Sequence, residues 1–372
     1  MQRFQLFSEP SKASESPKAS EITVLKQFEL PMSQNEITTW LRDLREHCHI
    51  KQSHFAVSSV VETRCGDQYI YAGGVNVEND DHNKLGMHGE QNALVTLQSV
   101  MGGSAHFSKI WIMAAPESVV AGSNDPLADN FALSCGHCRQ ILLSFSQPDS
   151  VVYSVSCNGA VSGPYDLKEW LPGTFNEGDL NIQKVQESET RQTEMIALYR
   201  DNFLIKNSSD PTQIIFDLFS QLLKPHIIDL KFVTSPIFAV MFKLTNGCYI
   251  PGVLVQDIAF LTTDAIFAAL GHAITRFGAT AVHIEEIHLY GKINTDELSL
   301  LTGSELGLLR KFGDRDTPVF SYAAEGLIHK STLANIAKHA YEKDFGCLHP
   351  AEEKLEHPSQ IANLQVRGIT NP

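Results

Sequence analysis

Apolar positions in the first half of the chain change repeatedly between the spacing of helices and the shorter repeat of strands. The segments are, in chain order, a helix over 37–47, strands over 54–61 and 69–77, a helix that begins at His88, a strand over 109–115, a helix that begins at Cys135 and a strand over 151–155. The turn at Gly66-Asp67 joins the first two strands into a predicted hairpin. This order is typical of an α/β fold in which helices cover a mixed sheet.

The second half of the chain partly repeats this pattern. A Gly-Val pair ends a strand-like run in each half, at Gly74-Val75 and at Gly252-Val253. In the second half, an apolar strand over 238–242 precedes the pair, and a helix over 265–277 and a strand over 283–290 follow it. We therefore predict a duplicated fold. The second copy is degenerate, because Leu254 and Gln256 stand where the first copy has Asn76 and Glu78.

The pattern divides the chain into four predicted regions. Residues 1–22 are rich in Ser, Lys, Glu and Pro and are predicted to form a flexible arm. Residues 23–182 form the predicted first domain, and residues 183–345 the degenerate second domain. The remainder, 346–372, has no clear periodicity and is described as a C-terminal tail.

Composition narrows the classes of function. The length of 372 residues allows two domains, and a net charge of -14 argues against a nucleic-acid surface. No apolar run is long enough for a signal peptide or a membrane span, so we expect no membrane partner and a cytoplasmic location. The seven cysteines are an odd number and suit a reducing compartment, where Cys-x-x-Cys indicates metal or redox chemistry.

Two short motifs carry the candidate chemistry: His88-Gly89-Glu90 and Cys135-Gly136-His137-Cys138. One His and two Cys are ligands that zinc prefers, and three protein ligands leave the fourth tetrahedral position open for water. Glu90 is then the carboxylate that moves protons for that water, and the combination is the signature of zinc deaminases. Both motifs open predicted helices, whose N-terminal partial positive charge stabilises thiolates.

Other interpretations of the same residues remain open. Cys135 and Cys138 also suit a structural zinc site or a redox pair, and Glu90 suits a first-turn residue that complements the helix dipole. Strand-end polarity would account for Asn76 and Glu78, and a place in the core would account for Phe55. The other histidines, such as His47, are expected on the surface.

The chain resembles the larger, two-domain bacterial type of cytidine deaminase. The segments that carry the resemblance are Ser53–Val57, Gly74–Glu78, His88–Ala93, Cys135–Gln140 and Leu171–Leu180. It implies a three-layer α-β-α sandwich with a mixed sheet, and a homodimer with one zinc ion per subunit on His88, Cys135 and Cys138. It further implies that Glu90 shuttles protons and that the substrate-binding residues are Phe55 at the base, Asn76 and Glu78 at the ribose hydroxyls, and Gly89 at the base through its N–H.

The expected activity is hydrolytic deamination of cytidine or deoxycytidine, a small-molecule nucleoside reaction of pyrimidine salvage. Departures from the family leave two alternatives. The connection 116–133 is longer than usual, which favours another substrate such as a nucleotide, a modified nucleoside or a polynucleotide. Gly89 replaces the usual Ala and Ser134 the usual Pro, which leaves room for a zinc-containing binding protein without catalysis.

Overall fold

The computed structural model describes residues 21–78, 86–102, 105–170, 192–193, 196, 211–223, 237–256, 262–291, 301–323 and 326–337. The C-terminal tail, the boundary near residue 182 and the segment 171–180 lie outside these ranges. So does the predicted arm, except for its last two residues. Glu21 pairs with Arg276 through its carboxylate, and the Ile22 N–H donates to the Arg276 carbonyl over 2.8 Å.

Six strands form the first sheet, in the order β1-β3-β2-β4-β5-β6. Strands β4 and β5 run parallel, and the other neighbours are antiparallel, so the sheet is mixed as predicted. The bounds are β1 Leu25–Phe28, β2 Phe55–Cys65, β3 Gln68–Val75, β4 Phe107–Pro116, β5 Ser146–Val155 and β6 Val161–Asp166.

Helices cover both faces of this sheet and make the predicted three layers. Apolar residues of α1 pack with Val60 and Trp111 on one face, whereas those of α2 and α3 pack with Val61 and Ile112 on the other. Helix α1 begins three residues earlier than predicted, because Ser33 and Glu36 cap each other's backbone N–H groups. The bounds are α1 Gln34–Arg45, α2 Gly89–Met101, α3 Gly136–Ser144 and α4 Leu167–Trp170.

Five strands form a second sheet, in the order β13-β12-β11-β7-β8, and β9 and β10 form a separate pair. Helix α6 coincides with the predicted span 265–277. The bounds are α5 Pro211–Leu223, β7 Ile237–Leu244, β8 Tyr249–Val253, β9 Val255–Gln256, β10 Thr262–Thr263, α6 Ala265–Phe277, β11 Ile284–Gly291, α7 Gly303–Phe312, β12 Pro318–Ala323 and β13 Gly326–Thr332.

The two sheets have the same topology. The order β3-β2-β4-β5-β6 corresponds to β8-β7-β11-β12-β13, and the single parallel pair falls at the same place in each. A glycine lets strand and helix backbones touch in both copies. A Cβ on Gly74 would lie 2.1 Å from the Ala93 nitrogen, and one on Gly252 would lie 2.3 Å from the Ala269 nitrogen. The predicted duplication is therefore confirmed at the level of backbone packing.

An ion pair at equivalent positions of the two sheets has opposite polarity. Glu62 on β2 lies opposite Lys109 on β4 with its carboxylate 2.9 Å from the ammonium. Lys243 on β7 lies opposite Glu286 on β11 at 2.7 Å. Both copies therefore have an ion pair at this place, but the acidic and the basic residue have exchanged strands. An alignment of the two halves by residue type would not detect the equivalence.

Equivalent helices, α2 and α6, bring the two copies into contact. The Asn92 amide donates to the Gly271 carbonyl over 3.2 Å, and Gln91 donates to the Thr263 hydroxyl. His47 lies 2.8 Å from the Thr275 carbonyl through Nδ1 and is only 6% exposed, so the expectation of a surface His47 is wrong. The second copy thereby borders the helix that begins at the candidate metal motif.

In the parts of the chain that the structure describes, no helix combines the length and apolar character needed to cross a bilayer. Among the described cysteines, which are all except Cys347, no disulfide is formed.

Candidate metal centre

The N-termini of α2 and α3 position the three candidate ligands. His88 and Cys135 are the N-cap residues of these helices and have extended backbones. Cys138 lies in the first turn of α3 and is buried. The sequence correctly predicts that both motifs open helices, and the partial positive charge of the two helix ends favours ionised sulfur at this place.

The candidate ligand atoms converge on one point, as tetrahedral coordination of a metal ion requires. His88 Nδ1 lies 3.4 Å from Cys135 Sγ and 3.3 Å from Cys138 Sγ, and the three ligand atoms lie within 4.8 Å of one another. Zinc–sulfur bonds of about 2.3 Å and a zinc–nitrogen bond of about 2.0 Å would place sulfur and nitrogen about 3.5 Å apart. The two nitrogen–sulfur distances therefore match those of a zinc ion held by these three residues.

The cluster favours charge separation even without an ion. Hydrogen bonds from Cys138 and His88 lower the pKa of the Cys135 thiol to about 3. The hydrogen bond to Cys135 in turn raises the pKa of His88. The hydrogen bond between Cys138 and Cys135, together with burial, raises the pKa of Cys138. One thiolate is thus present before any metal binds, and the second thiol must lose its proton on binding.

Glu90 lies in the first turn of α2 and is only 4% exposed. Its negative charge adds to the hydrogen bond of Cys135 in raising the pKa of His88, and also contributes to the raised pKa of Cys138. The carboxylate is therefore electrostatically coupled to two of the three ligands. A carboxylate that only complemented a helix dipole would not need to be buried beside them.

His137 lies between the two cysteines and is not one of the three converging residues. Its ring centroid is 6.0 Å from that of His88. Burial, followed by the charge of His88, lowers the pKa of His137.

Asn76 holds the first residues of strand β2 in place through two side-chain hydrogen bonds. Its side-chain oxygen accepts from the Val57 N–H over 2.8 Å, and its Nδ2 donates to the Phe55 carbonyl over 2.8 Å. Asn76 is 9% exposed, and Phe55 is 40% exposed. The interpretation of Phe55 as a core residue is therefore wrong.

Glu78 accepts from the N–H groups of Gln52 and Ser53, over 2.8 Å and 3.1 Å. Burial alone would raise its pKa, but the hydrogen bonds from Ser53 and Gln52 outweigh burial and leave the pKa below its usual range. Glu78 is therefore an ionised acceptor. Its contacts anchor the loop at Gln52 and Ser53 to the segment that follows β3.

Gly89 brings the start of α2 against β2. A Cβ at Gly89 would lie 2.8 Å from the Val57 carbonyl oxygen, closer than side chains tolerate. The backbone of the residue between His88 and Glu90 thus packs directly on the strand that Asn76 anchors.

Two residues that the sequence analysis did not assign a role fix the connection before Cys135. The Arg45 guanidinium donates to the carbonyls of Val119, Ala115 and Pro116. Asn158 donates to Asp129 over 2.8 Å and accepts from the Gly122 N–H over 2.8 Å. A one-turn helix at Pro126–Asp129, capped by Asp125, lies within the connection. The connection is thus an anchored structure along much of its length.

Arg139 is a third residue that sequence reasoning missed. Its Nε donates to the Ser134 carbonyl over 2.7 Å, and its Nη1 donates to the Trp170 carbonyl over 2.8 Å. It therefore fixes the peptide that precedes the ligand Cys135. Arg139 directly follows the second Cys of the motif, but its partner Trp170 is distant in sequence, so no local pattern indicates the contact.

The second copy has helix caps where the first has ligands. Asp264 is the N-cap of α6 and accepts from the Phe267 N–H, at the position that His88 occupies on α2. Thr302 and Glu305 form a capping box on α7, at the positions of Cys135 and Cys138 on α3. The side chains of Asp264 and Thr302 therefore cap their helices, whereas His88 and Cys135 make no side-chain cap hydrogen bond.

No protein-family model and no curated protein matches the chain. Solved structures similar to it include a cytidine deaminase from Burkholderia pseudomallei, at 22% identity and a TM-score of 0.32, covering 39% of this chain and 100% of that one. A cytidine deaminase from Mycobacterium tuberculosis is 21% identical, with a TM-score of 0.29 and coverage of 39% and 98%. One from Mycobacterium leprae is 18% identical, with a TM-score of 0.28 and coverage of 38% and 99%.

Proposed function

We propose that the protein is a zinc-dependent hydrolase that converts cytidine or deoxycytidine to the uracil nucleoside and releases ammonia. The observation that carries the proposal is the convergence of His88, Cys135 and Cys138 beside the buried carboxylate of Glu90. A structural zinc site needs no such carboxylate, and a redox pair needs no histidine.

Zinc is the ion that suits this donor set. Two thiolates and one imidazole are ligands that zinc binds in tetrahedral geometry, whereas magnesium and calcium prefer oxygen. A zinc ion on three protein ligands supplies an activated water near neutral pH. The residues of the chain then orient that chemistry: His88 and Cys135 from the helix ends, and Cys138 from the first turn of α3.

Glu90 is the proposed proton carrier. Deamination forms a bond between the water oxygen and C4 of cytosine and breaks the bond between C4 and the amino nitrogen. The first water proton passes through the Glu90 carboxylate to ring nitrogen N3. The proton of the new C4 hydroxyl then passes through the same carboxylate to the amino nitrogen, which departs as ammonia while the C4 carbonyl forms. A positioned carboxylate of this kind contributes about 10²–10⁴-fold to the rate.

The proposed nucleoside contacts use hydrogen-bonding groups of Glu78 and Asn76 that their contacts within the protein leave available. Glu78 is ionised, and a carboxylate has more acceptor sites than its two backbone N–H partners occupy, so it can accept from ribose hydroxyls. The Asn76 amide has a second N–H beside the one that holds Phe55. The exposed Phe55 ring is the proposed stacking surface for the base. The Gly89 N–H is proposed at the base, and a cytoplasmic homodimer is proposed as the assembly.

The test begins with protein of measured zinc content and follows ammonia release from a panel of cytosine nucleosides and nucleotides. Glu90→Gln should retain one zinc ion per chain and lose about 10²–10⁴-fold in kcat. Glu29→Gln, which changes an exposed carboxylate before α1, should retain full activity. Stoichiometric zinc with no turnover on any amine of the panel would contradict the proposal and favour a non-catalytic binding protein.

A further inference from the structure

The segment 130–135, which leads into Cys135, has an exposed face and a covered face. Asn130 has φ −71° and ψ 148°, and Cys135 has φ −68° and ψ 165°, so both ends are extended. Phe131 and Leu133 are 43% and 52% exposed, whereas Ser134 is only 2% exposed. Exposure alternates along the segment, so Phe131 and Leu133 are exposed on the same face as Cys135.

Hydrogen bonds hold the other face against the protein. The Ser154 hydroxyl donates to the Ala132 carbonyl over 2.8 Å, and Arg139 donates to the Ser134 carbonyl over 2.7 Å. The two hydrogen bonds hold the backbone of this segment at Ala132 and Ser134. Phe131 and Leu133 are therefore exposed on a segment whose backbone is held by hydrogen bonds to the rest of the protein.

The two exposed side chains form an apolar surface that runs toward the metal centre. At about 3.3 Å per residue, Leu133 and Phe131 precede Cys135 by about 7 Å and about 13 Å along the chain. Exposed large apolar side chains beside convergent polar groups are typical of ligand sites. We name Phe131 and Leu133 the apolar ledge.

The charge around the ledge excludes one class of ligand. The sequence has no Lys or Arg between Lys109 and Arg139, whereas it has Glu117, Asp125 and Asp129 there. Arg139 itself is engaged with two carbonyl groups. Phosphate recognition relies on cationic side chains or on free backbone N–H groups directed at the anion. The charged side chains of the connection itself are all acidic, and the Arg45 guanidinium that reaches it is engaged with three carbonyl groups.

We propose that the apolar ledge contacts the substrate, and that the preferred substrate is an uncharged cytosine nucleoside with an apolar or aromatic substituent rather than a nucleotide. This inference rests on the proposed deaminase function, because the ledge is placed by its continuity with the ligand Cys135. It assigns a specificity role to the connection that is longer than in the family. Burial of the ledge by such a substituent provides the preference, because it removes apolar surface from water.

The test compares kcat/KM for cytidine, 5′-O-benzoylcytidine, 5-phenylcytidine and cytidine 5′-monophosphate on zinc-loaded protein. One of the two aryl nucleosides should exceed cytidine by about tenfold or more, which is the scale of one or two methylene groups in an apolar pocket. Phe131→Ser and Leu133→Ser should each remove most of that preference, measured as the ratio of kcat/KM for the aryl nucleoside to kcat/KM for cytidine. Val120→Ser, which changes an exposed apolar residue near the start of the same connection, is the matched control and should not change this ratio.

Three results would overturn the inference. Equal kcat/KM for cytidine and both aryl nucleosides is the first, and preference for the monophosphate is the second. The third is loss of a dimer in Leu133→Ser during sedimentation, because the ledge would then be covered by a second copy of the chain. If no nucleoside is deaminated, the proposed function fails on its own. Calorimetric binding of 5′-O-benzoylcytidine that is weakened by Leu133→Ser would still support the ledge, and equal binding by both proteins would refute it.

Discussion

The Asn92 side-chain amide donates to the Thr275 hydroxyl over 2.9 Å and so joins helix α2 to helix α6. The same amide donates to the Val75 carbonyl over 2.8 Å, and both Asn92 and Thr275 are fully buried. Buried polar groups that lose a partner carry the full cost of desolvation. The helix that carries Glu90 is thus tied at one residue both to its own sheet and to the second copy.

Removal of this link should destabilise the protein. We expect Asn92→Ala to lower the free energy of unfolding by about 2–4 kcal/mol, because it leaves the Val75 and Gly271 carbonyls without this donor. Thr275→Val should cost about 1 kcal/mol. The double variant should show a coupling energy of about 0.5–3 kcal/mol, measured by urea unfolding. Thr39→Val, an exposed position of α1, is the control, and additive effects of Asn92→Ala and Thr275→Val would contradict the link.

The two glycines at the strand–helix contacts should be equally intolerant of a side chain. Gly74→Ala and Gly252→Ala each place a methyl group against helix backbone, so each should lower the free energy of unfolding by about 3 kcal/mol or more. Gly307→Ala meets nothing within 4 Å in helix α7 and should raise stability by up to about 1 kcal/mol. Thermal and urea unfolding measure all three, and a neutral Gly252→Ala would show that the second copy packs differently.

Loss of a candidate ligand should remove the metal, whereas loss of a thiol outside the cluster should not change the zinc content. Cys135→Ser and Cys138→Ser should each reduce the zinc content from about one ion per chain to a small fraction, since one of three protein ligands is lost. Cobalt substitution gives an independent reading, because thiolate-to-cobalt absorption should weaken in each variant. Cys157→Ala, a buried thiol outside the cluster, should retain full zinc content. Equal zinc loss in Cys157→Ala would indicate that the ion binds elsewhere.

Asp264 should make stability depend on pH. Burial, followed by the charge of Glu305, raises its pKa to about 7 despite hydrogen bonds from the α6 backbone. The folded state therefore holds a proton that the unfolded state releases near its ordinary pKa of 3.8. Between these values the folded state binds more protons, so the free energy of unfolding decreases as pH rises, by at most on the order of 4 kcal/mol.

The measurement compares wild type with Asp264→Asn by urea unfolding at pH 5 and pH 7.5. Asn retains the N-cap and cannot ionise, so the variant should gain stability relative to wild type as pH rises. Asp316→Asn changes an exposed turn residue and should follow the wild-type pH dependence. A constant difference between Asp264→Asn and wild type at both pH values would refute this prediction.

Local chemistry explains why parts of the fold could be predicted from the sequence. Helix α6 has an apolar interior with Asp264 before it and Gly278 after it, and its bounds were predicted correctly. Strand β2 extends to Cys65, beyond the predicted end at 61, because Glu62 is buried between Lys109 and the Tyr71 hydroxyl. An isolated sequence presents Glu62 as a surface residue, and only the neighbouring strands supply its partners.

The candidate site divides in the same way. The candidate ligands His88, Cys135 and Cys138 can be identified from the sequence because they belong to two short motifs that open helices. Arg139 and Asn158 are not visible, because their partners are brought near only by the folded sheet. The role of Asn76 as an anchor of β2 depends on the register of β2 and β3 and was likewise beyond local pattern.

The contact between α2 and α6 joins two parts of one polypeptide. A contact of this kind between separate subunits would weaken on dilution, because its formation would follow mass action. Within one chain the partner helix is always present at a high effective concentration, whatever the amount of protein. The support that Asn92 and Gln91 receive from the second copy is therefore independent of expression level. The copy without ligands thus acts as a partner that the helix carrying Glu90 cannot lose by dissociation.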